Sequence, residues 1–588
     1  MTQFDRQVYL VFNNAPFFNG TLLYVYNTSS NNECSKFVAE ITFGPQQLLH
    51  RANMIHMSKK KDIERIKTSF GKIKDDSFNF DLIEKYFRNK DNSSSFQVLS
   101  DKTCNDLDFQ EVFMFLDRTN SKVGQQYLYN TLRIIPADSA KNDLREKIIK
   151  AFIDDPDLRV NVQRWLEKLN KDDVYYITSL FQEEHTKPPK WFFIIRLLSF
   201  TSLLSLMMLP FNPQMILVLL PVVFVNIGIH YWNKKNLYQY LGSIPQLLRL
   251  NNLAIRLHKE SPFNGINPAL TNDIKIINQV RNSMSFFQLE ANIQGDFQAF
   301  FWAVLELFKT VFLLEPLLLF AVLKRLETKR EAIENVFCFI GEIDMLNSIA
   351  SLRSGLDHYC LPAIIEKKIL AKEVYHPLII NCIPNNIEVT DKSILLTGSN
   401  MSGKTSFIRT IGVNIITGLT INTCFAKSMS IPRLRIYSAI RISDDLLNDK
   451  SYYFEEVLTI KEMIQNSNHE KPNLFLLDEI FKGTNTIERI SAGKAVLSSI
   501  SRNKNIVFVS THDIELTDML SDEYELYHFS KVVNENKVDF DYQLKEGKLT
   551  NRNAIRILQI NEYPDTVINE AIEISKILDK TTVANEWT

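Results

Sequence analysis

An almost uncharged stretch in the middle of the chain places the strongest limit on what the protein can fold into. Residues 191–232 contain a single Asp, Glu, Lys or Arg side chain, that of Arg196. The stretch holds two apolar runs, Trp191–Phe211 and Met215–Trp232, each as long as the roughly 17–25 helical residues that cross a hydrocarbon core. The uncharged turn PFNP separates them. The pattern predicts a helical hairpin that spans a membrane twice.

The residues that flank this hairpin predict its orientation. Four lysines lie beyond its two outer ends, and none lies in its turn: Lys187, Lys190, Lys234 and Lys235. By the positive-inside rule, both ends and the large domains attached to them then lie on the cytoplasmic face of the membrane. Trp191 and Trp232 lie where amphipathic rings favour the headgroup level. The alternative is a hairpin that is buried in a large helical domain or docked on a partner. The matching basic residues at both ends favour the membrane, because burial alone does not require them.

A third apolar run, residues 299–323, carries charges. Glu306, Lys309 and Glu315 lie within it. A charge near the centre of a bilayer costs at least ~2.5 kcal/mol on insertion scales. The run is therefore interpreted as a helix of the protein core or of the membrane interface.

Length, charge and cysteine content limit the class of protein. The 588 residues are enough for two to four domains, and an apolar content of 45% is that of a globular chain, not of a disordered chain or a polytopic transporter. The net charge of −1 gives no global basic field for nucleic acid, although it leaves room for a local basic patch. The six cysteines lack CxxC spacing, which predicts reduced thiols in the cytosol. The first residues do not have the pattern of a signal peptide.

The apolar patterns divide the chain into three predicted domains. Residues 1–92 begin with strand-like runs between Asn, Gly and Ser clusters and form a small α+β module of unassigned role. Residues 93–375 show helical periodicity, as in the stripe from Phe109 to Leu116, and form an all-α domain into which the hairpin is inserted. Residues 376–588 alternate short apolar strands with helices, which is typical of a largely parallel α/β sheet.

A phosphate-binding loop is predicted in the third domain. Eight consecutive residues fit G-x-x-x-x-G-K-[ST] without gaps: Gly398, Ser399, Asn400, Met401, Ser402, Gly403, Lys404 and Thr405. An apolar strand precedes them, and a helical segment follows that begins near Ser406, which is also expected to bind the nucleotide. Such a loop curls so that its backbone N–H groups and the helix N-terminus point at phosphates. Lys404 is expected to reach the β and γ phosphates of ATP, and the Thr405 hydroxyl to bind Mg²⁺.

Two further apolar strands end in candidate catalytic residues. The first, in NLFLLDEI, ends at Asp478 and Glu479. Asp478 is expected to hold the Mg²⁺ shell, and Glu479 to orient or deprotonate the attacking water. The second, in NIVFVSTHD, ends near His512, at the strand end where α/β sheets place their ligands. His512 is expected to sense the γ-phosphate. The alternative for Asp478 and Glu479 is an acid pair that caps the segment after the strand. The alternative for His512 is a structural histidine.

Taken together, these motifs resemble those of the MutS family, the mismatch-recognition ATPases. TGSNMSGKTSFIRTIG is similar to the family's TGPNMGGKSTYLRQ-type Walker A, LLDEIFKGTNTIE to its L.DE.GRGTST.DG, and VSTHDIELT to its F.THY.EL. DDLLNDKSYYFEEV resembles its DDL…G.STF..EM segment. With further motifs on either side, the resemblance covers roughly residues 95–185 and 330–580.

The resemblance implies a fold, an activity and partners. The fold is an α/β P-loop ATPase domain preceded by an all-α core and lever domain, and the activity is Mg²⁺-dependent ATP hydrolysis by a homodimer with composite sites. Ser451 matches the serine that contacts the γ-phosphate bound to the partner subunit. Asn400 matches a loop asparagine, His512 the switch histidine, and Thr484 and Thr486 the segment that faces the opposite site. DNA is the implied partner, in mismatch repair or DNA damage recognition.

Several features depart from the family pattern. Ser402 replaces a glycine, Lys482 an arginine and Asn485 a serine. Nothing in the first 90 residues resembles the family's mismatch-reading domain, and the apolar hairpin lies at about the place of its DNA clamp. The alternative to a membrane-anchored DNA-binding ATPase is therefore a membrane-bound, ATP-gated scaffold or stress-response protein without a nucleic-acid substrate.

Overall fold

A computed structural model describes most of the chain. The described residues are 8–9, 22–26, 37–41, 60–61, 63–291, 296–399, 401–441, 452–468, 471–534, 537–549, 558 and 563–585. They belong to two compact units, Met1–Ser69 and Phe70–Thr588. In the first unit, strands β1 (Val8–Tyr9), β2 (Leu22–Tyr26) and β3 (Phe37–Ile41) form an antiparallel sheet. One strand lies in each of the three strand-like runs of the sequence.

Helices occupy most of the second unit up to residue 354. The bounds are α1 Phe80–Ile83, α2 Lys85–Arg88, α3 Asp101–Asp106, α4 Phe109–Leu116, α5 Lys122–Arg133, α6 Asn142–Asp154, α7 Pro156–Leu166, α8 Ser179–Gln182, α9 Phe192–Met208, α10 Ile216–Asn236, α11 Tyr238–Leu257, α12 Leu270–Asn278, α13 Arg281–Ala291, α14 Asp296–Val311, α15 Leu314–Leu326 and α16 Arg330–Ser354. Strands β4 (Gln97–Val98) and β5 (Ile134–Ile135) pair beside them. The predicted boundary at residue 92 stays a prediction, and the structure groups residues 70–92 with this helical part.

Two sheets and five helices follow. The strands are β6 Ala363–Ile364, β7 Ile369–Val374, β8 Asn385–Val389, β9 Ser393–Gly398, β10 Ser428–Ile431, β11 Arg435–Ala439, β12 Asn473–Asp478, β13 Ile506–Ser510, β14 Tyr524–Asn534 and β15 Lys537–Glu546. The described helices are α17 Lys404–Ile421, α18 Tyr452–Ser467, α19 Thr486–Ile500, α20 Glu515–Met519 and α21 Asp565–Asn585. One sheet has the order β6-β10-β7-β8, and the other has the order β11-β12-β13-β9-β14-β15.

The six-stranded sheet places the candidate site residues together. Strands β11, β12, β13, β9 and β14 are parallel, and β15 adds an antiparallel edge. Every residue of β9 and β13 is buried, which explains their largely apolar sequences. The carboxyl ends of parallel strands meet at one edge, so the segments after β9, β12 and β13 are neighbours.

Helix α16 runs through the core of the helical part. Its apolar residues Ile333, Phe337, Ile340 and Ile349 are buried, and the predicted stripe of α4 is buried at Phe109, Val112, Phe113 and Leu116. Asp344 of α16 is buried and accepts hydrogen bonds from the backbone N–H groups of Asn120 (2.9 Å) and Ser121 (2.8 Å), just before α5. Burial raises the pKa of Asp344 to about 6.

The last turn of α16 joins the helical part to the α/β part. The Arg353 guanidinium pairs with Glu146 of α6 (2.6 and 2.8 Å). It also donates to the carbonyl of Asn422 (3.0 Å) and the hydroxyl of Thr423 (3.0 Å), where α17 ends. One side chain therefore holds the C-terminal ends of α16 and α17 together.

The apolar stretch at 191–232 folds into two helices, α9 and α10, that pack against each other across the turn at 209–215. Among the described residues, one helix, Pro213–Lys235, is long and apolar enough to cross a membrane. Only 11% of its most apolar 18-residue segment is buried. Helix α9 is apolar but shorter. The helices are as predicted, and membrane crossing stays a prediction.

The third apolar run is divided into two helices. Helix α14 ends at Val311, α15 begins at Leu314, and Leu313 between them has a left-handed φ of 48°. Pro316 explains the break, because its ring excludes a helical carbonyl four residues earlier, at Phe312. The run therefore forms a helix–turn–helix.

The contact between α5 and α16 gives a test of this core. A Cβ atom at Gly124 would overlap the Asp344 carboxylate. We expect Gly124→Ala to lower the free energy of unfolding by about 3 kcal/mol, since it displaces the group that holds the start of α5. Gly493→Ala in α19 is the matched control, because its Cβ would lie 3.6 Å from the nearest atom. Chemical denaturation measures both, and equal stability of the two variants would contradict this packing.

Candidate functional site

The loop between β9 and α17 has a backbone that needs its glycines. Gly398 has a φ of 152° and Gly403 a φ of 105°, and Met401 is also left-handed at 67°. A Cβ at Gly398 would lie 2.8 Å from Ser402 Oγ and 3.0 Å from the carbonyl of Phe529. Glycine is the residue that adopts these conformations without strain and leaves this space free. The sequence motif thus corresponds to a tightly curled loop ahead of a helix N-terminus.

Lys404 and Thr405 begin α17 and turn back toward the loop and the neighbouring strand. The buried Lys404 ammonium donates to the carbonyls of Gly398 (2.8 Å) and Ser399 (3.2 Å). The Thr405 hydroxyl donates to Asp478 Oδ2 over 2.7 Å. This hydrogen bond joins the first turn of α17 to the end of β12. The structure therefore brings together a cation, a hydroxyl and a carboxylate that lie up to 74 positions apart in the sequence.

The two acids at the end of β12 have different surroundings. Asp478 accepts a hydrogen bond from Ser510 at the end of β13, besides that from Thr405. Glu479 has a left-handed φ of 52° and contacts His512 Nε2 (2.8 Å) and Lys482 Nζ (2.9 Å). The hydrogen bond from His512, followed by that from Lys482, lowers the pKa of Glu479 to about 2. Glu479 is therefore an ionised carboxylate at neutral pH.

A cavity of about 580 Å³ lies over the loop. Its polar wall includes Ser399, Lys404, Thr405 and Glu479, and its apolar wall comes from the segment 379–383 together with Phe529 and Tyr542. Asn385 holds this wall, since its amide donates to the carbonyl of Tyr542 (3.0 Å) and accepts from the N–H of Leu544 (2.7 Å). A cavity with one polar and one apolar side fits a ligand that has a charged end and a flat or apolar end.

Three polar residues of the helical part hold the site from outside, and sequence reasoning missed them. Gln97 makes two 2.8 Å hydrogen bonds with the backbone of Ile436 in edge strand β11, and Asp106 accepts from Ser438, Ile440 and Arg441 at the end of that strand. Asp108 pairs with Arg409 of α17 (2.8 Å) and Arg441 (2.6 Å). Nothing in their local sequence indicates this role, because each acts on a strand or helix about 300 residues away.

Two predicted site residues, Asn400 and Ser451, lie outside the described residues. Ser406 lies in the first turn of α17 and lines the cavity. Thr484 donates to Glu488 (2.7 Å) at the start of α19, and Thr486 is the first residue of that helix. The site roles of all these residues stay predictions.

The fold and the site together define a class, an α/β protein with a curled glycine loop and an acid pair at the carboxyl edge of a parallel sheet. The family model MutS domain V matches residues 394–579, the segment that contains this edge. The segment at 394–579 therefore belongs to the MutS domain V family.

Individual relatives agree with this placement. The DNA mismatch repair protein MutS of Aquifex pyrophilus is 29% identical over 42% of this chain and 30% of its own length. The protein of the same name from Bacillus velezensis is 30% identical over 41% of this chain and 29% of its own length. The protein of the same name from Listeria welshimeri is 28% identical over 45% of this chain and 32% of its own length. The chain thus spans about a third of the length of these curated relatives.

Proposed function

We propose that the chain is a magnesium-dependent ATPase whose site is the cavity over the loop at 398–403. The observation that carries the proposal is the 2.7 Å contact between the Thr405 hydroxyl and the Asp478 carboxylate. Hydroxyl and carboxylate oxygens are ligands that Mg²⁺ prefers, and these two already converge at the N-terminus of α17. With ATP bound, Mg²⁺ would neutralise charge on the phosphates.

The residues around this contact have the chemistry for phosphate hydrolysis. With ATP bound, the Lys404 ammonium would exchange its two carbonyl partners for phosphate oxygens. The N–H groups of the loop would donate further hydrogen bonds to the phosphates. Glu479 lines the same cavity. Its low pKa makes it a weak base, so its role is to orient and polarise the attacking water. His512 fixes the direction of that carboxylate through their 2.8 Å contact.

The test of this proposal is the variant Glu479→Gln. We expect turnover to fall by about 10²–10⁴-fold, because the amide keeps the shape and loses the negative charge that polarises water. ATP affinity should be retained, as measured by equilibrium binding of a fluorescent ATP analogue. The control is Glu462→Gln, an exposed glutamate of α18. Turnover in Glu479→Gln at the control's rate would overturn the assigned role.

We also propose that the hairpin at 191–232 anchors the protein in a membrane, with both large parts of the chain on the cytoplasmic face. The two helices bury polar side chains and expose apolar ones, which is the reverse of the arrangement in a water-soluble protein. Their buried positions include Ser202, Ser205, Asn226, His230 and Asn233, whereas their exposed positions include Phe193, Leu197, Phe200, Leu217 and Phe224. The Asn226 amide donates to Ser202 Oγ over 3.0 Å, a polar contact between the helices. Polar inside and apolar outside is the arrangement that lipid favours.

The anchoring is tested by placing charges on the exposed face of α10. The full-length protein should resist alkaline carbonate extraction from membranes. The double variant Leu220→Lys, Phe224→Lys should be released, since each lysine adds about 2.5–3.5 kcal/mol at the centre of a spanning helix. Met519→Lys, at an exposed apolar residue of α20, serves as control and should be retained. Release of the unsubstituted protein would contradict the anchoring.

The composite site that the family resemblance implies leads us to propose a homodimer. Ile487 is largely exposed beside Thr486 at the start of α19, and an apolar side chain at such a position suits a protein contact. In the dimer, the segment at 484–487 would face the partner's site.

DNA is the proposed partner of the helical part, because the matched relatives are named DNA mismatch repair proteins. The specific observation that favours a second candidate is the inverted hairpin, which suits an ATP-gated membrane scaffold without nucleic acid. The two candidates differ in what they bind outside the membrane.

Equilibrium binding to a DNA duplex at two salt concentrations separates these candidates. A DNA-binding ATPase should bind in detergent solution and lose affinity as salt rises, because each neutralised phosphate releases counterions with a slope near −0.9. A mismatched duplex measured in parallel reports any preference for mismatches. A salt-insensitive signal, or no binding at low salt, would favour the scaffold.

A further inference from the structure

The helix–turn–helix formed by α14 and α15 reaches into the middle of the apolar hairpin. Asn226 Nδ2 of α10 donates to the carbonyl of Val311 over 2.7 Å, and Ser199 Oγ of α9 donates to the carbonyl of Phe312 over 2.7 Å. Asn226 lies six residues before Trp232, or about 9 Å along the helix. The turn between α14 and α15 is therefore well inside the level of the tryptophans.

The backbone of this turn is satisfied by the hairpin. The break at Pro316 frees carbonyls that an unbroken helix would use, and the hairpin side chains supply their donors. Phe312 and Leu313 are buried. Non-helical backbone at membrane depth is tolerated where protein surrounds it, and this turn meets that condition.

Helix α15 runs from the turn back to the outer end of the hairpin, where α9 begins. Phe320 packs against Phe192, the first residue of α9, with ring centroids 5.1 Å apart. Further on, the carbonyl of Leu323 lies 3.0 Å from His185 Nδ1, before the hairpin starts. The pair thus enters and leaves on the same side as the two ends of the hairpin, which is the path of a re-entrant element.

The charges of this run are paired inside the helix packing. Three contacts link them to α10, Glu306–Lys234 2.6 Å, Glu306–His230 3.1 Å and Glu315–His230 3.2 Å. Two more join them to one another, Glu306–Lys309 2.7 Å and Glu315–Lys309 3.8 Å. Two carboxylates therefore face two ammonium groups and a histidine. The insertion cost that applies to isolated charges is reduced when charges pair and face other helices. His230 also lies two residues from Trp232, about 3 Å along the helix, which places the cluster near the predicted headgroup level.

The outer face of α14 is apolar and exposed among the described residues. Val304, Leu307 and Phe308 are exposed, and they lie on a helix that packs against α10, whose own exposed face is apolar. Glu306 and Lys309 of α14 turn inward, and Val304, Leu307 and Phe308 turn outward. This is the same inversion of polarity as in the hairpin.

We propose that α14 and α15 form a re-entrant helical pair that enters the bilayer with the hairpin, so that acyl chains contact the outer face of α14 around Phe308. This inference rests on the proposed anchoring and extends the lipid contact beyond residues 191–232. The partner is the lipid bilayer itself, and the ion-paired cluster closes the inner side of the pair at the headgroup level.

Site-specific photocrosslinking to lipid tests the proposal. Three exposed phenylalanines are replaced one at a time by p-benzoylphenylalanine: Phe308 in α14 (53% exposed), Phe211 in the hairpin turn (84%) and Phe454 in α18 (49%). The full-length proteins are reconstituted into phosphatidylcholine–phosphatidylglycerol vesicles with alkyne-tagged acyl chains and irradiated. Thermal unfolding confirms that each variant is folded.

We expect lipid adducts at Phe211 and Phe308, each at least about tenfold above the yield at Phe454, which belongs to the α/β part and lies outside the segments proposed to enter the bilayer. Adducts at Phe211 without adducts at Phe308 would overturn the re-entrant pair and leave the anchoring intact. Adducts at neither would overturn both. A crosslinked dimer at Phe308 in place of lipid would mean that a second copy of the chain covers this face, and would also overturn the proposal.

Discussion

The burial of α16 is the constraint on which the described second unit depends. The helix contributes Asp344, which holds the start of α5, and Arg353, which holds the end of α17. A buried carboxylate and a buried guanidinium are stable only with their partners, so each fixes the element that supplies those partners. The helical part and the α/β part are therefore joined by charge-assisted hydrogen bonds as well as by apolar packing.

Much of the candidate site was predictable because its chemistry is local in sequence. The curled loop, the cation at Lys404 and the acid pair after β12 each follow from a strand end and a short motif. What completes the site is not local. Asp106 and Asp108 act on β11 and α17 from the other half of the chain, and their side chains look like ordinary helix-capping acids. The contact of Glu479 with His512 needs two adjacent strand ends. The sequence placed both residues at strand ends of a parallel sheet, and the order β12-β13 in the structure makes those ends neighbours.

The apolar hairpin and the two helices packed on it show the opposite balance. Apolar length predicted α9 and α10 with nearly their observed bounds. For residues 299–323 the same counting of charges pointed to a core or interfacial helix, because sequence cannot say which way Glu306 and Lys309 face. Their direction depends on His230 and Lys234, which come from another helix. Pro316 was the one signal available for the break at Leu313, and its position in the first turn of α15 is where proline is tolerated.

The order of these elements along the chain sets the order in which they can form. Helices α9 and α10 are complete once residue 236 has left the ribosome, while α16 begins at residue 330 and every strand of the six-stranded sheet lies after residue 392. The core around Asp344 therefore cannot close while the hairpin is emerging. Under the proposed anchoring, a nascent chain would meet the bilayer with its apolar hairpin exposed and its α/β part unmade. The sheet would then assemble on a chain already held at a surface.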